Sequence, residues 1–167
     1  MQLKPVDKQR YQTRSRYCYF GISTVLIILS LVWSSCWIYL FSKNDDNFIF
    51  NLLGVVSAVV SMFPIVRYCK NQPWFDEVVY IWNLKQELNK INRKMSSLVQ
   101  ACDRAELNAF TAIKFSYQGS RQIWQLDDNT LMLTELNLSE QQLDEAIAKQ
   151  GLVININDYH SEILKAY

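Results

Sequence analysis

Few residues in this chain have the type and spacing that enzyme chemistry requires. His160 is the only histidine among 167 residues, and a single histidine near a C-terminus is more often a surface residue than a general base. Asp127 and Asp128 could exchange protons, but adjacent acidic residues at a helix end are usually turn and cap residues. An enzyme that uses Asp127, Asp128 or His160 is the weakest functional hypothesis, so we predict no catalytic residue.

Metal and cofactor sites are not predicted either. A calcium loop starting at Asp127 fails because Met132 occupies the required glycine position and Leu138 the required glutamate position. The four cysteines lack the close spacing of zinc sites and disulfide scaffolds: Cys18, Cys36, Cys69 and Cys102. The net charge of +1 does not favour nucleic-acid binding, and no nucleotide-binding or hydrolase motif indicates a small-molecule substrate.

Two apolar segments are the most prominent structural feature of the sequence. Residues 19–41 contain no charge over 23 positions, and residues 48–66 contain none over 19. As helices they would extend about 34 Å and about 28 Å, against a hydrocarbon core of about 30 Å. We therefore predict an all-α membrane protein in which two transmembrane helices form a hairpin, connected by an external loop at residues 42–47.

The basic residues near the segment ends predict the orientation. Residues 1–18 form a basic arm with five cations, and Arg67 and Lys70 follow the second segment, whereas the connecting loop contains only Lys43. Cytoplasmic flanks of membrane helices are enriched in lysine and arginine. Both termini are therefore expected in the cytoplasm of a multi-pass inner-membrane protein.

A competing interpretation is a lipoprotein signal that ends at Cys36. Trp33 is bulky where such signals place a small aliphatic residue, and the apolar segment continues beyond the cysteine. Signal regions are short and end in small residues, so an uncleaved helix is favoured.

Small residues predict where the two membrane helices touch. Ser30 and Ser34 in the first helix, and Gly54 and Ala58 in the second, have the four-residue spacing that lets backbones approach closely in lipid. In an antiparallel hairpin Ser34 lies at the depth of Gly54, and Ser30 at that of Ala58. We predict that these four residues form the intramolecular contact; the alternative is that they face a second copy.

The tail, residues 67–167, is expected to be a cytoplasmic helical domain. Its first helix, about 73–102, has an apolar seam with heptad spacing: Ile81, Leu84, Leu88, Ile91, Met95 and Leu98. Between these residues Lys85, Glu87 and their charged neighbours are expected on a solvated face. The seam could pack on a second helix at about 104–127, forming a helical hairpin, or on another chain as a coiled coil.

The C-terminal segment is expected to be short and mainly helical. Residues 130–136 could be extended, Ser139 is expected to cap a helix at about 139–150, and Gly151 to end it. Residues 152–156 could form a minor strand before a last helix at about 158–165.

Several segments together resemble a family of uncharacterised two-span bacterial inner-membrane proteins, known as a domain of unknown function. The resemblance rests on these residues: Val6-Asp7-Lys8, Arg10-Tyr11, Asn51-Leu52-Leu53-Gly54-Val55, Glu77-Val78-Val79-Tyr80, Trp82, Leu84-Lys85-Gln86, Leu88-Asn89 and Asp127-Asp128-Asn129-Thr130. It implies a bacterial cytoplasmic membrane and the two-span architecture, and it implies no activity.

These patterns favour a membrane-anchored interaction or scaffold protein. Its partners would be the lipid bilayer and, through the tail, a second copy or another cytoplasmic protein. A subunit of an oligomeric pore or transporter is the alternative, but neither apolar segment contains the ionisable residue that usually marks an ion pathway.

Overall fold

A computed structural model describes residues 1–42 and 47–167. It contains six α-helices in this part of the chain: α1 Lys8–Phe41, α2 Phe48–Lys70, α3 Asp76–Arg93, α4 Met95–Asp103, α5 Leu107–Leu126 and α6 Leu131–Lys149. Three 3-10 segments complete it: Pro73–Phe75, Ile156–Asp158 and Ser161–Ala166. Most of the predicted external loop, residues 43–46, lies outside the described residues.

The chain divides into two compact units. The hairpin unit comprises Gln9–Val79, and the helical domain comprises Met1–Lys8 together with Tyr80–Tyr167. The first eight residues therefore belong to the same unit as the tail, although two long apolar helices separate them from it in the sequence.

In the hairpin unit, α1 and α2 are both long and apolar enough to cross a membrane. Large apolar side chains along both helices are exposed to the surroundings, including Ile27 at 60%, Leu31 at 65% and Val60 at 67%. Pro64 is accommodated inside α2. A short 3-10 turn beginning at Pro73 then leads into α3, where proline's fixed φ suits the start of a helix.

In the helical domain, α5 is the central helix. It packs against α4, α6 and both C-terminal 3-10 segments. Its core positions include Phe110, Ile113 and Phe115, each at most 2% exposed. Burial of this apolar surface is the main source of the domain's stability.

The predicted helix at 73–102 is divided in the structure. α3 ends at Arg93, Lys94 has φ −109° and ψ 7°, and α4 begins at Met95. The amide of Lys94 donates to the carbonyl of Ile91 at 2.9 Å, a 3-10 bond that tightens the last turn of α3. The heptad pattern crosses this break and therefore gave no sign of it.

The second predicted helix, 104–127, begins three residues later than expected. Ala105 has a left-handed φ of 61° after α4, and α5 starts at Leu107. At its other end Asp128, with φ 56°, separates α5 from α6. Aspartate tolerates this conformation better than most residues, because its short polar side chain can bond the local backbone.

The extended segment predicted at 130–136 is wrong, and the helix predicted at 139–150 begins earlier than expected. α6 begins at Leu131, and Ser139 lies inside the helix, where its hydroxyl donates to the carbonyl of Glu135 at 3.2 Å instead of capping. Gly151, with φ 63°, does end the helix: its amide donates to Ala148 and that of Leu152 to Ile147, a Schellman pattern.

The predicted minor strand at 152–156 is not found, and the described residues contain no strand. Asn155 accepts a bond from the amide of Asn157 at 3.1 Å, and this local turn opens a 3-10 segment. The predicted terminal helix at 158–165 is the 3-10 segment Ser161–Ala166.

Candidate functional site

The two apolar helices approach each other most closely at Gly54. A Cβ atom added to Gly54 would lie 2.6 Å from the Cα and N atoms of Ser34, so only glycine fits against this backbone. Ala58, one turn further along α2, is fully buried. Ser30 is half-buried, and its hydroxyl donates to the carbonyl of Leu26 in its own helix at 2.8 Å. The structure thus brings Gly54 and Ser34 together.

Polar side chains join α1 to α2 on either side of this contact. The indole N–H of Trp37 donates to Ser57 Oγ at 3.1 Å, and that of Trp33 donates to Ser61 Oγ at 3.0 Å. Ser34 donates to Asn51. In lipid such bonds satisfy groups that no water reaches. The sequence analysis did not predict either tryptophan–serine contact.

The apolar seam is the core of the helical domain. Ile81, Leu84 and Ile91 are at most 2% exposed, Leu88 is 6% exposed and Leu98 is fully buried, while Met95 is half-buried. A Cβ atom at Gly119 of α5 would lie 3.0 Å from Leu88 Cδ2 and 3.3 Å from Leu84 Cδ1. α5 of the same chain therefore covers the seam at Leu84 and Leu88.

The N-terminal segment is bound to the helical domain. The amino group of Met1 donates to the Tyr159 carbonyl at 3.4 Å, and the amide of Lys4 donates to the Tyr80 hydroxyl at 2.8 Å. The Gln122 side chain in turn donates to the Lys4 carbonyl. The sequence suggested only a topogenic role for these residues.

The acidic pair that could have acted in catalysis is engaged by lysines. Asp127 accepts from Lys85 at 3.0 Å, and Asp128 pairs with Lys8 of the N-terminal segment. The exposed His160 instead has its Nδ1 2.9 Å from the Asp158 carbonyl. The acids thus connect elements of the domain, and their arrangement indicates a structural role.

A shallow groove of about 330 Å³ lies beside the N-terminal segment. Arg121 on its wall pairs with Glu140 and donates to Asn137 Oδ1 at 2.6 Å. The groove is lined by these residues: Leu3, Lys4, Pro5, Gln118, Arg121, Gln122, Gln125 and Glu140. Ligand pockets are concave and enclose most of the surface of a ligand, so we assign no ligand to this shallow groove.

A buried carboxylate holds the C-terminal segment. Glu87 is 5% exposed, accepts from the Tyr159 hydroxyl at 2.8 Å and from Lys90 Nζ at 2.9 Å, and also accepts from Ser161. The Tyr159 ring stacks on Phe115 with centroids 4.1 Å apart. The expectation that Glu87 lies on a solvated face was wrong; its position next to the seam residue Leu88 was the available signal.

These contacts shift the pKa values of both partners. Burial, the largest single influence on Glu87, opposes its ionisation, but the hydrogen bonds and the nearby ammonium together outweigh it, so the pKa of Glu87 lies below its ordinary value. Burial and the bond to the carboxylate raise the pKa of Tyr159. At neutral pH the pair is an ionised acceptor and a neutral donor, the states that this bond requires.

The half-buried thiol of Cys102 is not activated. Burial, followed by the charges of Asp103 and Glu106, raises its pKa to about 11. Because the thiolate is the reactive form, this shift disfavours nucleophilic chemistry. Across residues 1–42 and 47–167 no group of three or more acidic, histidine or cysteine side chains is arranged to hold a metal ion.

Taken together, these features define a class of helical protein in which two apolar helices able to span a membrane are joined to a compact helical domain that also incorporates the N-terminus. The chain belongs to the family described as "Protein of unknown function (DUF3087)", whose model matches residues 1–164. No curated protein and no solved structure matches the chain. The resemblance to an uncharacterised family is thus confirmed.

Proposed function

We propose that the protein is a non-enzymatic interaction protein anchored in the bacterial inner membrane. In this proposal α1 and α2 cross the bilayer as a hairpin, both termini lie in the cytoplasm, and the helical domain binds a second copy or another cytoplasmic protein. The observation that carries the proposal is the contrast between the two units: one exposes large apolar side chains along two long helices, and the other has a buried core of its own.

The outward side chains of the hairpin unit support insertion into lipid. Soluble proteins rarely expose apolar patches larger than a few hundred Å², yet residues such as Phe63 at 75% and Phe48 at 72% are exposed along α2. Lipid would cover this surface without a protein partner. The absence of a charged residue in 19–41 and 48–66 fits an anchor better than an ion pathway.

The attachment of the N-terminal segment supports a hairpin with both ends on one side. Residues before α1 and residues after α2 form one compact unit, through bonds such as that from Met1 to Tyr159 and the Lys8–Asp128 pair. An even number of bilayer crossings between them fits this arrangement. The basic residues at the ends of the spans favour the cytoplasm as that side.

Because the seam is buried, a partner would bind another surface of the helical domain. On α6, Leu131 is 87% and Leu138 is 58% exposed, and their seven-residue spacing places them on one face of the helix. These two leucines are the apolar positions on α6 most accessible to a partner.

The test is photo-crosslinking in native membranes from a reactive amino acid at Leu138. The matched control carries it at Leu136, which is 5% exposed on the same helix. We expect the Leu138 position to capture a second copy or another cytoplasmic protein, and the Leu136 position to capture neither. If Leu138 captures neither, while the protein resists alkaline carbonate extraction, the interaction role is rejected. If carbonate releases the protein, the membrane anchor is rejected as well.

A further inference from the structure

The same dipeptide occurs at the tail-proximal end of both membrane helices. Arg16-Tyr17 lies in α1 and Arg67-Tyr68 lies in α2. All four residues are exposed, Tyr17 at 64% and Tyr68 at 69%. Both helices thus present a guanidinium group and an aromatic hydroxyl to their surroundings.

The two arginines differ from the cations around them in having no partner within the part of the chain that the structure describes. Arg14 pairs with Glu77 at 3.2 Å, and Arg10 approaches the same carboxylate at 3.5 Å. Across residues 1–42 and 47–167, no hydrogen bond or ion pair engages Arg16 or Arg67. Their charge is left for a ligand outside the chain.

The register of the hairpin places the two arginines near one depth. Ser42 donates to Asn47 at 2.6 Å, so the C-terminal end of α1 lies beside the N-terminal end of α2. Arg67 lies twenty residues beyond Asn47, a rise of about 30 Å that equals the hydrocarbon thickness. Arg16 lies twenty-six residues before Ser42, a rise of about 39 Å, which places it roughly 9 Å further out.

This offset of roughly 9 Å slightly exceeds the thickness of the lipid headgroup layer, and the reach of the two side chains makes up the difference. That layer is about 5–7 Å thick on each side of the hydrocarbon core, and long side chains reach several ångströms along the membrane normal. Arg67 can extend outward from the hydrocarbon boundary, and Arg16 can extend inward. Both guanidinium groups then reach the plane of the lipid phosphates.

We propose that Arg16 and Arg67, flanked by Tyr17 and Tyr68, bind the phosphate groups of anionic phospholipids. This inference rests on the proposed insertion of the hairpin and adds a preferred lipid class to it. A guanidinium group matches a phosphate in two-point geometry, and tyrosine favours the headgroup level, where its ring is apolar and its hydroxyl is hydrated. The charge of anionic lipids complements two cations that the protein leaves unpaired.

The test uses the full-length protein in phosphatidylcholine vesicles that contain trace spin-labelled phosphatidylglycerol or phosphatidylcholine. Electron paramagnetic resonance gives the association constant of each lipid with the protein. Arg16→Gln and Arg67→Gln remove one charge each, and Arg93→Gln is the matched control. Arg93 is also exposed and unpaired in the described chain, but it lies in the helical domain.

We expect the wild type to prefer phosphatidylglycerol. Each membrane-end variant should lower that preference by a factor of up to roughly five, the contribution of one basic residue near an anionic surface. The double variant should lose the preference, and Arg93→Gln should retain it. A double variant with wild-type preference, or an equal loss in Arg93→Gln, overturns the inference.

The experiment distinguishes a wrong lipid-binding site from a wrong assignment of the membrane anchor. Resistance to carbonate extraction is measured on the same samples. A wild-type protein that is released from the vesicles refutes membrane insertion itself. A protein that stays inserted but binds both lipids equally refutes only the headgroup site.

Discussion

Replacing Gly54 by alanine should separate the two long apolar helices. The new Cβ would lie 2.6 Å from the Cα and N atoms of Ser34 and 2.8 Å from its Cβ, whereas carbon atoms prefer separations of about 3.5–4.0 Å. The obstacle is backbone, so the helices must move apart by about 1 Å. Overpacking of this kind costs about 1–3 kcal/mol.

Gly21→Ala in α1 is the matched control, because a Cβ at Gly21 meets nothing within 4 Å. It should show only the gain in helix propensity of up to about 1 kcal/mol. Because Gly54→Ala gains the same helix propensity, the two variants should differ by the overpacking cost of about 1–3 kcal/mol in the free energy of unfolding. Titration of the detergent-solubilised protein with dodecyl sulfate measures this difference through tryptophan fluorescence, to which Trp33 and Trp37 at the contact contribute. If Gly54→Ala is as stable as Gly21→Ala, the close approach of the helices is wrong.

Two further predictions concern the buried carboxylate of the helical domain. Tyr159→Phe keeps the aromatic ring but removes a donor to Glu87, and should lower the free energy of thermal or urea unfolding by about 1.5–3 kcal/mol. Tyr167→Phe is the control, because the Tyr167 hydroxyl bonds the more accessible Glu106, and its effect should be clearly smaller. Equal losses in the two variants would contradict the assignment. Because the folded pKa of Glu87 lies below the ordinary 4.5, its contribution is complete above pH 4.5 and is lost as the pH falls through the folded value. A melting temperature measured from pH 6 to about pH 3 should fall less steeply in Glu87→Gln, and parallel curves would refute this role.

The parts of the fold that the sequence predicts are those set by simple periodicity. A charge-free segment such as 19–41 has few alternatives to a long helix, and small residues four apart restrict how two such helices meet. The close approach of Gly54 to Ser34 follows from those two facts and the length of the loop. The heptad seam was visible for the same reason, since one face of α3 repeats apolar residues at helical spacing.

What periodicity misses are contacts between residues distant in sequence. The sequence around Glu87 does not predict that Tyr159, seventy-two positions later, donates a hydrogen bond to its carboxylate. Likewise, the first residues carry charges that fit a topogenic signal, and only the folded domain places Lys4 beside Tyr80. The predicted start of α6 was wrong for a different reason. Ser139 fits a capping pattern, but the apolar face of the helix begins before it. Leu133 and Leu136 lie on the same face as Leu143 and Ile147.

The buried seam also changes how a heptad pattern should be interpreted in a tail that follows two apolar helices. Three repeats are compatible with a coiled coil, and in an extended tail they would predict dimerisation through α3. Here α5 lies against those residues, and Gly119 allows its backbone to approach the side chains of Leu84 and Leu88. A partner that used the seam would have to displace α5 and expose the central core of the domain. Any association of the tail at low energetic cost must therefore use surfaces outside the seam, which is why the exposed leucines of α6, and not the most regular apolar pattern in the sequence, are the positions to probe.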